Sequence, residues 1–196
     1  MPGVTVGVGA RKTEPIDTPR HSDPSMNTTT ARKPRRWWRW GLEIALIVAV
    51  VLLARAWLAR DLAQGPAPEF QALLLDGSPV TLTEFADRPM LLHFWATWCP
   101  ICRLEEGEIM RLSRNHPVLT VAMQSGSAAE VDAHLTERER ELAVVNDPDG
   151  ALAQRYGVRA VPSTFIIDRE GQIVFRKQGY APPLELRFRL WLARWL

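Results

Sequence analysis

The chain has 196 residues, room for one globular domain and an appendage. A hydrophobic fraction of 46% supports a packed core, and a formal net charge of +2 gives no ground for a nucleic-acid partner. Its two cysteines are too few for a disulfide framework, and neither they nor His93, His116 and His134 show the spacing of a four-ligand zinc site, so no metal is expected.

Residues 1–36 are rich in Pro, Thr, Ser, Arg and Gly without apolar periodicity, and read as a disordered cytoplasmic tail. Met26 offers an alternative start that leaves a compact basic segment. Residues 37–62 read as a transmembrane signal anchor. Ile44 to Ala54 is uninterruptedly apolar, and Trp38 to Leu58 reaches the roughly 20 residues that a bilayer core needs. Glu43 and Arg55 then reach toward opposite interfaces, and Trp37, Trp38, Trp40 and Trp57 form aromatic belts. Arg32, Lys33, Arg35, Arg36 and Arg39 place the N-terminal side in the cytoplasm, so everything after Arg60 is extracytoplasmic. Three other readings compete. Ala54-Arg55-Ala56 loosely resembles a signal-peptidase site, against which Arg55 and the following Trp57-Leu58 count. Arg35-Arg36 before tryptophans has a faint twin-arginine look, which a basic flank explains as well. A buried core helix would suit the apolar run alone, but not its tryptophan and arginine flanks.

Residues 63–196 read as one α/β domain. Gln64 to Pro68 is expected to be a linker. Phe70 to Leu75 and Val80 to Leu82, around the turn Asp76-Gly77-Ser78, suggest a hairpin, and Thr83 to Ala86 a short helix. Met90 to Ala96 is a buried strand ending at the cysteines, followed by a helix from Pro100 to Asn115. Val118 to Met123 is the next buried strand, and Ser127 caps a helix through Arg140. Leu142 to Val145 is a short strand and Ala151 to Tyr156 a short helix. Thr164 to Ile167 and Ile173 to Lys177 form a hairpin over Asp168-Arg169-Glu170-Gly171, and Leu184 to Trp195 an amphipathic closing helix. Such alternation implies a mixed sheet with helices on both faces.

Cys99-Pro100-Ile101-Cys102 sits at the strand-to-helix junction. Disulfide exchange needs an attacking thiolate, a second thiol within reach and a stable oxidised pair. Cysteines at i and i+3 in a first helical turn bring their Cα atoms near the about 5.5 Å that a disulfide prefers. The helix N-terminus favours the Cys99 anion, Pro100 suits the first helical position, and Cys102, one turn in, is the resolving thiol. Half of a metal site is the alternative use of such a pair.

Phe94-Trp95-Ala96-Thr97-Trp98-Cys99-Pro100-Ile101-Cys102-Arg103-Leu104-Glu105 resembles the active site of the TlpA-like branch of the thioredoxin superfamily. Tyr156 to Gly171, through Val161-Pro162-Ser163-Thr164-Phe165, resembles its second signature. The resemblance covers about residues 66–196 and is nearest to membrane-anchored ScsD-like proteins (suppressor of copper sensitivity). It implies a thioredoxin-like fold, a bacterial inner-membrane protein with a periplasmic domain, and a cis peptide before Pro162. An X-Pro bond accepts cis at about 0.5–1 kcal/mol; an ordinary trans proline at a strand entrance is the alternative. Trp98, Pro100, Ile101, Val161 and Pro162 are then the substrate-binding residues. His93, where thioredoxin has an aspartate, and Glu105, which matches a family glutamate, are candidates for proton transfer. A core histidine bonded to a carbonyl and a solvated first-turn carboxylate are the plainer readings, and Glu106 and Glu108 are expected to be solvated.

The function expected is thiol–disulfide exchange with extracytoplasmic protein thiols, with no cofactor beyond the Cys99–Cys102 disulfide. The alternatives are a cytochrome c maturation-type reductase fed by a membrane redox partner, a copper-binding module using the same two cysteines, and a thiol peroxidase, against which Ala96 and Leu92 count. A monomeric domain is expected.

Overall fold

The computed structural model describes Gly3, Gly7 and residues 35–195; of residues 35–39 and 55–59 it describes the backbone alone. The expected tail, apart from Gly3, Gly7, Arg35 and Arg36, lies outside the described residues. The chain divides into two units, Met1–Gly41 and Leu42–Leu196.

Helix α1, Arg35–Ala59, contains no proline to break it. From Leu42 to Leu53 every large apolar side chain on it is exposed. Among the described residues no helix is long and apolar enough to cross a membrane. The expected span, Trp38 to Leu58, runs past the described side chains at both ends.

The domain is built on a six-stranded sheet ordered β1-β8-β7-β4-β5-β6. Its strands are β1 (Gly65–Pro66), β4 (Met90–Trp95), β5 (Val118–Met123), β6 (Val144–Asp147), β7 (Ser163–Ile167) and β8 (Gln172–Gln178). Strands β4, β5 and β6 run parallel, with β6 at one edge; β7, β8 and the other edge strand β1 follow in antiparallel pairs. Strands β2 (Gln71–Leu73) and β3 (Pro79–Thr81) pair antiparallel in a separate ribbon, followed by a single 3₁₀ turn, Leu82–Phe85. The helices are α2 (Pro100–Ser113), α3 (Ala128–Glu137), α4 (Ala151–Arg155) and α5 (Pro183–Leu192).

Alternation along β4 divides the core. Leu92 and Phe94 face one cluster with Phe70, Val80, Leu152, Tyr156 and Phe165. Leu91 and Trp95 face the other side, where α2, α3 and α5 contribute Ile109, Val131 and Leu190. Buried on both faces, β4 reads as the continuous apolar run expected of a central parallel strand. Phe94, Tyr156 and Phe165 meet with ring centroids 5.3 to 5.8 Å apart, in tilted and edge-on arrangements.

Three expectations need correction. The supposed linker contains β1, which pairs Gly65 with Ile173 and Pro66 with Gln172. The strand expected at Leu142 to Val145 lies at Val144–Asp147, because Asp147 turns inward to accept the amides of Leu152 and Ala153 at the start of α4. Glu106 and Glu108 are buried, not solvated. Glu106 faces α3 and its C-terminal loop, where His134 Nε2 (3.1 Å) and Arg138 Nε (2.6 Å) reach it. Glu108 bridges Arg111 on its own helix and Arg187 on α5, at 2.6 and 2.7 Å.

Candidate active site

The two cysteines lie where β4 hands over to α2. Cys99 is the N-cap of α2 in extended conformation, Pro100 takes the first helical position, and Cys102 falls in the first turn. A disulfide joins them, with Cα atoms 5.3 Å apart. The Cys99 sulfur accepts the amide of Cys102 at 3.2 Å, in the place where a capping oxygen sits in other helices. That amide and the positive end of the helix dipole both favour a thiolate at Cys99 once the disulfide opens. Cys102 is fully buried and Cys99 is 4% exposed, an order of accessibility that suits attack by the first and resolution by the second.

The opposite wall is the turn into β7. The Val161–Pro162 peptide is cis. The Val161 carbonyl oxygen lies 3.7 Å from the Cys99 sulfur. The turn is held by Ser163 Oγ, which donates to the Ala160 carbonyl, and by the Gly179 amide, which donates to the Pro162 carbonyl at 2.7 Å. Pro162 is buried, whereas Pro100 and Ile101 project outward beside the disulfide. Trp98 is 56% exposed, and its indole N–H donates to the Gln124 carbonyl at 3.0 Å. Gln124 holds this carbonyl in place from a positive φ of 48°. Ser125 Oγ accepts the Thr97 amide. The Gln124-Ser125 loop carries no sequence signal of its own; only its position after a buried strand marks it.

Beneath the disulfide lie two buried ionisable groups. Glu105 follows Cys102 by one turn on the same face of α2, so the two side chains share the interface with the sheet. One Glu105 oxygen accepts the Ala181 amide at 2.5 Å; the other has no hydrogen-bond partner among the described residues and stands 4.0 Å from His93 Nε2. Burial pushes the Glu105 carboxyl up to about 7, against the smaller lowering influence of the Ala181 amide and the Lys177 charge. His93 shares its β4 face with Leu91 and Trp95, and its Nδ1 is hydrogen-bonded to Thr164 Oγ1 at 2.9 Å. Burial lowers its pKa to about 4, so the ring is neutral at physiological pH. Its bonded partner is a threonine hydroxyl on β7, not the backbone carbonyl expected of a plain core histidine. Among the described residues no group of three or more His, Cys, Asp and Glu is placed to hold a metal ion.

A redox-active pair at a helix N-terminus, facing a cis-proline turn and backed by a titratable carboxyl, can exchange disulfides with an extended polypeptide laid between Trp98 and Val161. Comparison with known proteins agrees. The family model for Redoxin matches residues 62–187. The thiol:disulfide interchange protein DsbE of Pseudomonas aeruginosa is 34% identical over 140 residues, covering 67% of this chain and 78% of that protein. The thiol-disulfide oxidoreductase ResA of Bacillus thuringiensis subsp. konkukian is 27% identical over 117 residues, covering 58% of this chain and 68% of that one. The crystal structure of the pneumococcal exposed lipoprotein thioredoxin Etrx1 from Streptococcus pneumoniae matches with a TM-score of 0.56 at 28% identity, covering 64% of this chain and 99% of the other.

Proposed function

The chain belongs to the Redoxin family and is a thioredoxin-like thiol–disulfide oxidoreductase; we propose that it works as a membrane-anchored, extracytoplasmic reductase of protein disulfides. The observation that carries the exchange chemistry is Glu105, which takes the Cys102 proton when the pair is oxidised and returns it when the pair is reduced. A buried carboxyl poised near neutrality, one turn from the resolving thiol, is a proton acceptor for Cys102.

The reaction then runs in two displacements. The Cys99 thiolate attacks one sulfur of the substrate disulfide; that bond breaks, a mixed disulfide forms, and the first substrate thiolate leaves. Cys102 gives its proton to Glu105 and attacks the Cys99 sulfur. The mixed disulfide breaks, Cys99–Cys102 forms, and the second substrate thiolate departs. Two electrons have passed from the pair to the substrate, and the pair itself is their carrier. His93 stands neutral 4.0 Å from Glu105, with its other ring nitrogen held by the Thr164 hydroxyl, and positions no charge against that carboxyl. Trp98, Pro100, Ile101, Val161 and Pro162 bind the substrate backbone beside Cys99.

The exposed apolar side chains of α1 and the basic, tryptophan-rich sequence ahead of them support anchoring in a bilayer with the domain outside the cytoplasm. A reductase there draws electrons from a membrane redox partner. Within the family, the motif around Cys99 favours the TlpA-like branch with ScsD-like character, and a monomeric domain completes this reading. Equilibrating the full-length protein with glutathione buffers tests the direction. A potential near the about −270 mV of thioredoxin is expected; one near the about −120 mV of a strong oxidant would reverse it.

A further inference from the structure

The entry of the chain into the domain is fastened at one particular edge. Only Arg60 separates the end of α1 at Ala59 from Asp61, and from Asp61 onward the backbone is sewn down. Leu62 is 2% exposed and belongs to the main core. The Ala63 amide donates to the Tyr156 carbonyl at 2.9 Å, and the Arg176 guanidinium donates to the Leu62 carbonyl at 2.8 Å. Gly157, at φ +68°, lets the Asp61 carbonyl approach so closely that a Cβ there would lie 1.7 Å from its oxygen. The Asp61 carboxylate meets Arg159 at 3.4 Å, two residues before Val161 of the cis-proline turn.

This entry point lies at the disulfide edge. Strand β7 starts at Ser163 opposite Phe94, near the end of β4 that leads to Cys99, so the 157–162 loop flanks the cysteines. The chain then runs away from that edge: β1 pairs Gly65 and Pro66 with Ile173 and Gln172, and Ile173 lies opposite Ile167, which pairs with Met90 at the start of β4. The loop Asn115–Pro117, whose last carbonyl accepts the Leu91 amide, marks the far edge. Six residues of β4 set the two edges about 20 Å apart.

We infer that Asp61–Ala63 is a clasp that makes the disulfide-bearing edge the membrane-proximal one, so that the exchange partner presents its cysteines at the bilayer surface. The inference rests on the anchoring of α1 proposed above. A domain on a flexible tether would search the space around it. Here one residue, Arg60, connects the helix to the clasp, and thiols borne at the membrane surface are the ones its disulfide meets. Gly157 and the Asp61–Arg159 pair are positioning residues in this arrangement.

The test uses the full-length protein in phosphatidylcholine–phosphatidylglycerol nanodiscs doped with a headgroup spin-labelled lipid, read by paramagnetic attenuation of amide and indole resonances. The Trp98 indole N–H and the Gly157 amide should be attenuated several-fold more than the amides of Asn115 and His116. Inserting a Gly-Ser segment of roughly 15 residues between Arg60 and Asp61, with a reach of about 20 Å, should equalise them. Equal attenuation in the unmodified protein, or stronger attenuation at Asn115 and His116, would overturn the inference. Failure of the full-length protein to incorporate into the discs would instead overturn the anchoring on which it rests.

Discussion

Glu105 and His93 stand 4.0 Å apart across the α2–β4 interface, and burial drives their proton affinities in opposite directions, toward about 7 and about 4. Between those values the buried pair is a neutral acid beside a neutral base, not an ion pair. That avoids the cost of two desolvated charges and leaves a carboxyl able to exchange a proton with Cys102 near neutral pH. Glu105→Gln should slow resolution of a mixed disulfide on Cys99 by about 100-fold or more, the usual worth of a general base. Stopped-flow measurement of the second displacement checks this. An unchanged rate with an unchanged pH profile would remove Glu105 from the mechanism.

The same two groups set opposite slopes in stability against pH. His93 is lowered from 6.5 to about 4, so its contribution is present above 6.5 and lost as pH falls through 4. Glu105 is raised from 4.5 to about 7, so its contribution is present below 4.5 and lost as pH rises through 7. Between 4.5 and 6.5 the slopes oppose, and the stability of the wild-type protein should be nearly flat there. In Glu105→Gln the His93 slope alone remains, and stability should climb by up to about 3 kcal/mol from pH 4 to pH 6.5. Urea midpoints across that range decide it; a flat profile in the variant would contradict the assignment.

Thr164 fixes the His93 ring through its hydroxyl. Thr164→Val keeps the shape of the strand but strands a buried ring nitrogen, at a cost of about 1–3 kcal/mol. Because the freed ring can reorient toward Glu105, the pH dependence of exchange should shift as well. A stability loss with no change in that dependence would reduce Thr164 to a purely structural role.

Glu106 makes a different kind of contribution. It collects His134, Arg138 and Arg140 from α3 and the loop after it onto α2, with Arg140 Nε at 3.8 Å. Glu106→Ala leaves these groups without their shared carboxylate and should cost roughly 3–5 kcal/mol. The reduction potential of the Cys99–Cys102 pair should stay unchanged, which glutathione equilibration of the folded variant measures. A shifted potential would place Glu106 in the redox chemistry.

The parts of the site that are legible from sequence are those in which neighbouring residues carry the signal. The apolar run Met90–Trp95, the cysteine pair and the helix start at Pro100 are contiguous, and the β7–β8 hairpin is written in its own turn. What could not be read arrives from far along the chain. Thr164 reaches His93 from 71 residues away, and Ala181 reaches Glu105 from 76. Glu106 and Glu108 look like solvated carboxylates because Arg138 and Arg187, which close over them, come from far along the chain. Strand β1, two residues long, has no periodicity to detect, and its Gly65-Pro66 composition points to a linker. Only the β8 edge beside it makes it a strand.

The central claim, nucleophilic exchange by Cys99 with resolution by Cys102, is tested most directly by trapping. Full-length Cys102→Ser, reduced and then mixed with glutathione disulfide, should accumulate one glutathione on Cys99, read by intact-mass and peptide mass spectrometry. Cys99→Ser under the same conditions should carry little or none on its buried Cys102. A trapped adduct on Cys99 alone is the expected result. Equal labelling of both variants, or stable labelling of Cys102 only, would contradict it.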